Sequence, residues 1–202
     1  MEGLTSSPSC EPENAIALRR PACRGQHRDA AVYAPSVHRG RDDQGDPDAW
    51  RHAATRPEVD VALRTIHLKI AESTRAARPL CVASGRCCHF EAFGHRLYVT
   101  GLEAAWVLAH VDRQPTIEEV ERAVAAGCCP FLSDGLCSIH AVRPFACRTF
   151  FCDPKATAWQ QALHEECHAE VRALHERLAA PYLYGEWRAV LGLLAGEHRR
   201  ER

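Results

Sequence analysis

Apolar residues recur at helical spacing in several stretches of the chain. The first stripe comprises Val59, Leu63, Ile66 and Ile70. Arg78-Pro79 marks its end, because a residue before proline disfavours the helical conformation. Thr100 and Thr116 each precede a glutamate by three residues, which is typical of a capped helix start. These signals predict helices over 58–77, from Thr100 onward, from Thr116 to Gly127, from Pro154 to about Leu178 and near 186–194.

Alternation of apolar and polar residues, which is typical of strands, is confined to short stretches. Residues 95–100 partly alternate and predict one short strand. Asp134-Gly135 separates two short apolar runs and predicts a hairpin that brings Cys129 and Cys137 side by side. We therefore predict an α+β, mostly helical fold with a small irregular cysteine-rich metal centre. In this fold the centre contains the short hairpin and is packed between helices.

The first 57 residues lack such a period and are rich in Pro, Gly, Ser, Arg and Asp. A segment of this kind buries too little apolar surface to offset the entropy lost on ordering. We predict a disordered N-terminal tail over 1–57 and one cysteine-cluster domain over 58–202. Cys10 and Cys23 lie in this predicted tail, and we interpret them as incidental.

Composition and charge limit the kinds of molecule that this protein is expected to bind. Hydrophobic residues make up 46% of the chain and the formal net charge is −1, so neither nucleic acid nor a membrane surface is an expected partner. No apolar run approaches the length of about 18–20 residues that a membrane span needs. The first residues lack the basic and apolar regions of a signal peptide. We therefore expect a cytoplasmic protein whose thiols stay reduced rather than paired in disulfides.

Cysteines supply the candidate chemistry. The chain has 11 cysteines, and most of them fall in two blocks between residues 81 and 152. Thiolates prefer zinc, copper(I) or iron–sulfur clusters. The spacing contains no C-x₂-C pair of the zinc-ribbon kind, so zinc and a cluster both stay open. Arg86, Arg143 and Arg148 lie among the cysteines, where guanidinium groups would stabilise an anionic thiolate centre.

Three segments of these blocks carry a family resemblance. They are Gly85-Arg-Cys-Cys88, Cys129-Pro-Phe-Leu with Gly135-Leu-Cys-Ser-Ile-His140, and Arg143-Pro-Phe-Ala-Cys-Arg-Thr-Phe-Phe-Cys152. The chain resembles, over about 81–154, the cysteine-cluster proteins described as zinc- or iron-chelating domains. Flagellin lysine N-methylases share this domain. Ser84 departs from the family pattern, which has a cysteine there, His140 stands where tyrosine is common, and Cys128 is additional.

The resemblance implies a protein that holds an iron–sulfur cluster or Zn²⁺ through thiolates, with a redox or protein-modifying role. Carried over position by position, it implies the metal ligands Cys81, Cys87, Cys88, Cys129, Cys137, Cys147 and Cys152. The expected partner is thus a metal ion or cluster, together with a protein partner or substrate. Whether the protein is an enzyme stays open.

Two alternative functions also stay open. A structural zinc module that mediates protein interaction would need four of the cysteines. The second alternative is a zinc peptidase, since His164-Glu-Glu-Cys-His168 matches H-E-x-x-H on a predicted helix. In that class of site two histidines bind zinc and the glutamate is the general base. Glu186 is a candidate third ligand only by distant analogy.

Overall fold

Helices dominate the structure, which is a computed structural model that describes residues 45–81 and 85–197. The helices within these ranges are α1 Pro47–Ala54, α2 Pro57–Ala77, α3 Gly101–Ala109, α4 Ile117–Ala125, α5 Phe145–Thr149, α6 Thr157–Leu178 and α7 Trp187–Glu197. The strands are β1 Tyr98–Thr100, β2 Leu132–Ser133, β3 Leu136–Cys137 and β4 Tyr184–Glu186. The predicted mostly helical α+β fold is confirmed at this level.

Each predicted apolar stripe lies on the buried face of its helix. Val59, Leu63, Ile66 and Ile70 of α2 are buried, as are Leu163, Cys167, Val171 and Leu174 of α6. Leu178, at which the sequence predicts the end of this helix, is half-buried. The α2 helix ends where the sequence predicts, and Arg78 takes the left-handed conformation that closes it.

The two predicted capping boxes form to different extents. In α4, Thr116 accepts from the Glu119 N–H at 3.3 Å, and Glu119 accepts from the Thr116 N–H at 2.9 Å. In α3, Thr100 accepts from the Glu103 N–H at 3.3 Å. The Glu103 carboxylate is fully buried and accepts from the Phe145 N–H instead, at 2.6 Å. This second contact ties α3 to the start of α5.

A two-stranded antiparallel sheet joins distant parts of the chain. Tyr98 of β1 pairs with Glu186 of β4, and Thr100 pairs with Tyr184. The Trp187 N–H extends the pairing by donating to the Leu97 carbonyl at 2.8 Å. The sequence predicts β1 but not β4, because a three-residue strand with a central glycine has too little alternation to be recognised.

The helix α1 corrects the expected start of the domain. It lies within the range 1–57 assigned to the tail, yet Trp50 is fully buried and donates from its indole N–H to the Pro181 carbonyl at 2.7 Å. A Cβ at Gly101 of α3 would lie 2.2 Å from the Trp50 ring, so only glycine permits this approach. The predicted tail over residues 1–44 lies outside the described residues.

Three tryptophans anchor the core between the helices. Trp50, Trp106 and Trp187 each have no more than 1% of their surface exposed. Aromatic side chains of this size contribute the largest apolar area to a small core. Within residues 45–81 and 85–197, the helices lack the combination of length and apolarity needed to cross a membrane.

Candidate metal centre

The two cysteine blocks meet through their backbones. The Cys129 N–H donates to the Cys88 carbonyl at 2.8 Å, which joins the second block to the first. Gly85 and Gly135 both have positive φ angles, of 69° and 76°. A Cβ at Gly85 would lie 2.3 Å from the Gly135 carbonyl oxygen, so two loop tips touch where neither has a side chain.

The hairpin has the turn that the sequence predicts. Leu132 of β2 pairs with Cys137 of β3, and Asp134 and Gly135 both have positive φ angles, as a tight two-residue hairpin turn requires. The Ser138 N–H donates to the Phe131 carbonyl at 2.9 Å and closes the base of the hairpin. The hairpin thus carries Cys137 back toward the first cysteine block.

Thiols from both blocks converge at this junction. The Cys88 thiol lies near enough to the thiols of Cys129, Cys137 and Cys87 for all three to raise its pKa. Cys147, on α5, lies near enough for the charges of Cys129, Cys137 and Cys87 to act on it. We call these five residues, Cys87, Cys88, Cys129, Cys137 and Cys147, the thiol cluster. All five are free thiols.

Two of the seven predicted ligands lie outside the thiol cluster. Cys81 and Cys152 are exposed free thiols. Leu80 directly precedes Cys81, and Asp153 directly follows Cys152. The Leu80 N–H donates to the Asp153 carboxylate at 3.1 Å, which holds these two segments of the chain together. Burial and the neighbouring thiols of Cys87 and Cys81 raise the pKa of Cys152. Ser84, the departure from the family pattern, lies outside the described residues.

Cys128 does not belong to the thiol cluster, although it directly precedes Cys129. It is not one of the free thiols of the described residues. Its sulfur lies 3.6 Å from His89 Nδ1 and 3.4 Å from the Ala126 carbonyl. Cys128, which is additional to the family pattern, thus has contacts that differ from those of Cys129.

Electrostatics within the thiol cluster favour thiolates at two positions. Hydrogen bonding from the Cys88 thiol lowers the pKa of Cys87 to about 6 and that of Cys137 to about 7, and the positive charge of Arg143 adds to both shifts. The thiols of Cys129, Cys137 and Cys87 raise the pKa of Cys88, while burial raises that of Cys147. The cluster therefore offers ready thiolates beside thiols that keep their protons.

Arg143 is the arginine whose position fits an anionic centre. Its Nε–H is buried and has no hydrogen-bond partner, although its charge acts on Cys87, Cys137 and Cys147. A buried donor without a partner costs about 1–3 kcal/mol. A metal-bound thiolate nearby would accept this hydrogen bond. Arg148 differs, since its Nε donates to the Arg143 carbonyl at 2.9 Å.

The thiols of the cluster are not already arranged around a shared central point. Across the described residues, no three His, Cys, Asp or Glu side chains are already disposed to hold a metal ion. Zinc-bound sulfurs surround the ion at about 2.3 Å. Metal binding therefore requires the cluster side chains to turn, and S–metal bonds would replace the contacts through Cys88. The donor set itself is of the soft kind that zinc and iron–sulfur clusters select.

The H-E-x-x-H histidines are engaged by other side chains. His164 Nε2 lies 3.0 Å from the Tyr184 hydroxyl, and its Nδ1 lies 3.3 Å from the Thr149 hydroxyl. His168 Nε2 lies 2.7 Å from the Tyr182 hydroxyl. Glu186, the distant candidate for a third ligand, binds Arg188 at 2.8 Å. These contacts do not favour a zinc peptidase site.

A cavity of about 270 Å³ adjoins the thiol cluster. Cys87 and Cys147 belong to its lining, together with His95, His164 and Tyr184. The thiols are thus reachable from a space large enough for a small molecule. The sequence gives no signal for this cavity, because β1, α5 and α6 contribute to it from distant positions.

Glu103 is a buried residue whose role goes beyond the helix cap that the sequence predicts. Burial raises its pKa to about 8. One carboxylate oxygen accepts from the Phe145 N–H, while the other is buried without a partner. The signal that could have found it is its position on α3, where a glutamate interrupts an otherwise apolar helix.

No family model, curated protein or solved structure matches this chain. The resemblance to zinc- or iron-chelating cysteine-cluster proteins therefore stays a prediction that depends on the cysteine motifs.

Proposed function

We propose that this protein binds a metal through the thiol cluster, as zinc or as an iron–sulfur cluster. The observation that supports the proposal is the convergence of thiols from separate loops on Cys88. Buried free cysteines occur singly in many cores. Five free thiols in one place, two of them buried and three half-buried, are more than packing requires, and the unpartnered Nε–H of Arg143 lies beside them.

The proposed ligands are drawn first from the thiol cluster. Four thiolates suffice for a tetrahedral zinc site or for a [4Fe–4S] cluster. Cys81 and Cys152 are proposed as outer thiols, since both are exposed and Cys152 lies near enough to Cys87 and Cys81 for their charges to act on it. The excess of sulfur over four favours the iron–sulfur cluster over zinc.

The cavity favours a centre that takes part in chemistry over a purely structural one. A structural zinc site is closed on all sides, whereas a reactive site leaves an open position. Cys87 and Cys147 border both the thiol cluster and the cavity. A small molecule in the cavity would therefore lie beside the proposed metal, where a redox or protein-modifying reaction could use it.

The experiment is elemental analysis with a visible spectrum on full-length protein purified without air. An iron–sulfur cluster gives a brown protein with iron and sulfide, and zinc gives a colourless protein with stoichiometric zinc. Cys88→Ser should abolish or strongly reduce the bound metal, because Cys88 contacts three other thiols. Cys167→Ser is the matched control, since Cys167 is an equally buried free thiol that lies on α6 outside the cluster.

Two results would reject the proposal. The first is wild-type protein that carries no metal and takes up neither zinc nor iron with sulfide during reconstitution. The second is metal content that is unchanged by Cys88→Ser in a folded variant.

A further inference from the structure

We infer that His95 supplies a nitrogen ligand to the metal centre, which would then have mixed sulfur and nitrogen coordination. This inference depends on the proposed function, and it adds a ligand outside the cysteine motifs. His95 follows the first cysteine block and lies just before β1, in a half-buried position.

Hydrogen bonding fixes which ring nitrogen of His95 has a free lone pair. His95 Nε2 lies 3.2 Å from the Cys87 carbonyl oxygen. A carbonyl oxygen can only accept, so Nε2 carries the proton and donates it. In the neutral ring Nδ1 then has the lone pair. This Nδ1 is buried and has no hydrogen-bond partner.

The arrangement of the ring matches that of a metal-ligating histidine. Such histidines almost always donate their second N–H to a carboxylate, a backbone carbonyl or water, which fixes the tautomer. Here the carbonyl belongs to Cys87, a member of the thiol cluster. The ring is also held in place, with Phe150 stacked at 4.6 Å between centroids and Phe90 edge-on at 5.5 Å.

His95 shares a space with two of the sulfurs. His95, Cys87 and Cys147 all line the cavity of about 270 Å³ beside the thiol cluster. A metal at this border would bind the sulfurs of Cys87 and Cys147, with loss of the proton that Cys147 carries, and His95 Nδ1 would be the nitrogen ligand. For zinc the outcome is a site with sulfur and one imidazole. For an iron–sulfur cluster, histidine in place of cysteine raises the reduction potential.

A second histidine of the same cavity provides a matched control. His164 also lines the cavity. Both of its ring nitrogens already have partners, in the Thr149 and Tyr184 hydroxyls. Replacement of His164 therefore changes the cavity without removing a free lone pair.

The test is X-ray absorption at the edge of the bound metal, on full-length wild type, His95→Gln and His164→Gln. We expect the outer-shell scattering of one imidazole in wild type and in His164→Gln, and its loss in His95→Gln. Because the loss of even an outer-shell partner lowers metal affinity by about 10- to 100-fold, His95→Gln should raise the metal dissociation constant at least as much. His164→Gln should leave the metal dissociation constant within about twofold of wild type, because this variant removes no free lone pair.

Several results would overturn this inference while the proposed function stands. One is a metal that has only sulfur ligands in the wild-type protein. This result does not depend on the folding of any variant. Another is imidazole scattering that persists in His95→Gln. If His95→Gln does not fold, His95→Cys replaces it, and its spectrum should show one more sulfur and no imidazole. A wild-type protein that binds no metal would reject the inference together with the proposed function.

Discussion

The helical frame and the thiol cluster are built in opposite ways. The frame, α1 to α4 with α6 and α7, buries three tryptophans and the apolar stripe of each long helix. The thiol cluster instead depends on a hairpin with two-residue strands, a five-residue helix and glycines with positive φ angles. Burial of apolar surface stabilises the first region, whereas the second region combines backbone contacts between loops with the burial of a few side chains such as Phe131 and Phe145.

The difference indicates what each region needs in order to be stable. The frame has a continuous apolar core and could fold without any metal. The thiol cluster places thiols in contact with each other and leaves the buried Arg143 Nε–H without a partner. Bound metal would supply the interactions that this region lacks, as it does in small domains known to fold around a metal.

The largest expected effect concerns the frame. Trp50→Ala should lower the free energy of unfolding by about 3–5 kcal/mol, because a fully buried indole and its hydrogen bond to Pro181 are lost. The free energy of unfolding is measured by urea titration monitored by circular dichroism. Leu68→Ala is the control, since Leu68 is 66% exposed and should change stability by no more than about 0.5 kcal/mol. Equal effects at the two positions would mean that α1 is not part of the frame.

The second prediction concerns the joint between the two regions. Glu103 of α3 accepts from the Phe145 N–H at the start of α5, and burial raises its pKa from 4.5 to about 8. The folded protein thus keeps a proton that the unfolded chain releases near pH 4.5. The contribution of this group to stability therefore falls as the pH rises from 4.5 to about 8, and it stays constant above that.

Glu103→Gln should remove this pH dependence while keeping an oxygen acceptor for the Phe145 N–H. The difference in unfolding free energy between wild type and variant should change on the order of 3 kcal/mol between pH 5 and 8. Urea titrations at several pH values measure it. Parallel pH profiles for the two proteins would show that Glu103 ionises normally in the folded state.

A third prediction concerns the contact between the loops of the thiol cluster. Gly85→Ala should cost about 1–3 kcal/mol and weaken metal binding, because its Cβ would lie 2.3 Å from the Gly135 carbonyl and its φ is positive. Gly94→Ala is the matched control, with a φ of 65° but no atom within 4 Å of its Cβ. Titration with Zn²⁺ measures the affinity of both. If the control weakens metal binding as much, then backbone strain explains the effect without any contact between the loops.

The smallest expected effect concerns the charge beside the sulfurs. Arg143→Gln should raise the metal dissociation constant about tenfold, or about 1.4 kcal/mol, because it removes a positive charge that favours the thiolates. Arg113→Gln, which instead breaks an exposed ion pair with Glu119, should leave the metal affinity unchanged. An affinity for metal that is insensitive to Arg143 would remove one of the two observations behind the proposed function.

The sequence predicts the frame better than the thiol cluster, for a physical reason. The stripe of α2 and the capping box at Thr116 are local signals, since residues three or four apart determine each of them. The hairpin turn at Asp134-Gly135 is equally local. The strand β4 and the helix α1 are missed because their stability comes from distant partners, namely β1 and the α3 surface around Gly101.

Within the site, the motifs identify the cysteines but do not show which of them belong to the thiol cluster and which are exposed. Cysteine spacing alone does not separate the thiol cluster from the exposed Cys81 and Cys152, because burial depends on how the loops pack. Nor does it identify His95 or Glu103, whose roles follow from contacts with Cys87 and Phe145. Such contacts join positions that no local pattern connects.

The pairing of β1 with β4 has a consequence for the order of events during synthesis. The Leu183 carbonyl accepts from the Gly101 N–H at 3.1 Å, and the Trp187 N–H donates to the Leu97 carbonyl at 2.8 Å. The frame therefore closes only after residues 183–187 have left the ribosome, when all cysteines up to Cys167 have already been translated. Until that moment the nascent chain exposes its thiols, so the proposed metal would have to reach them before oxidants do.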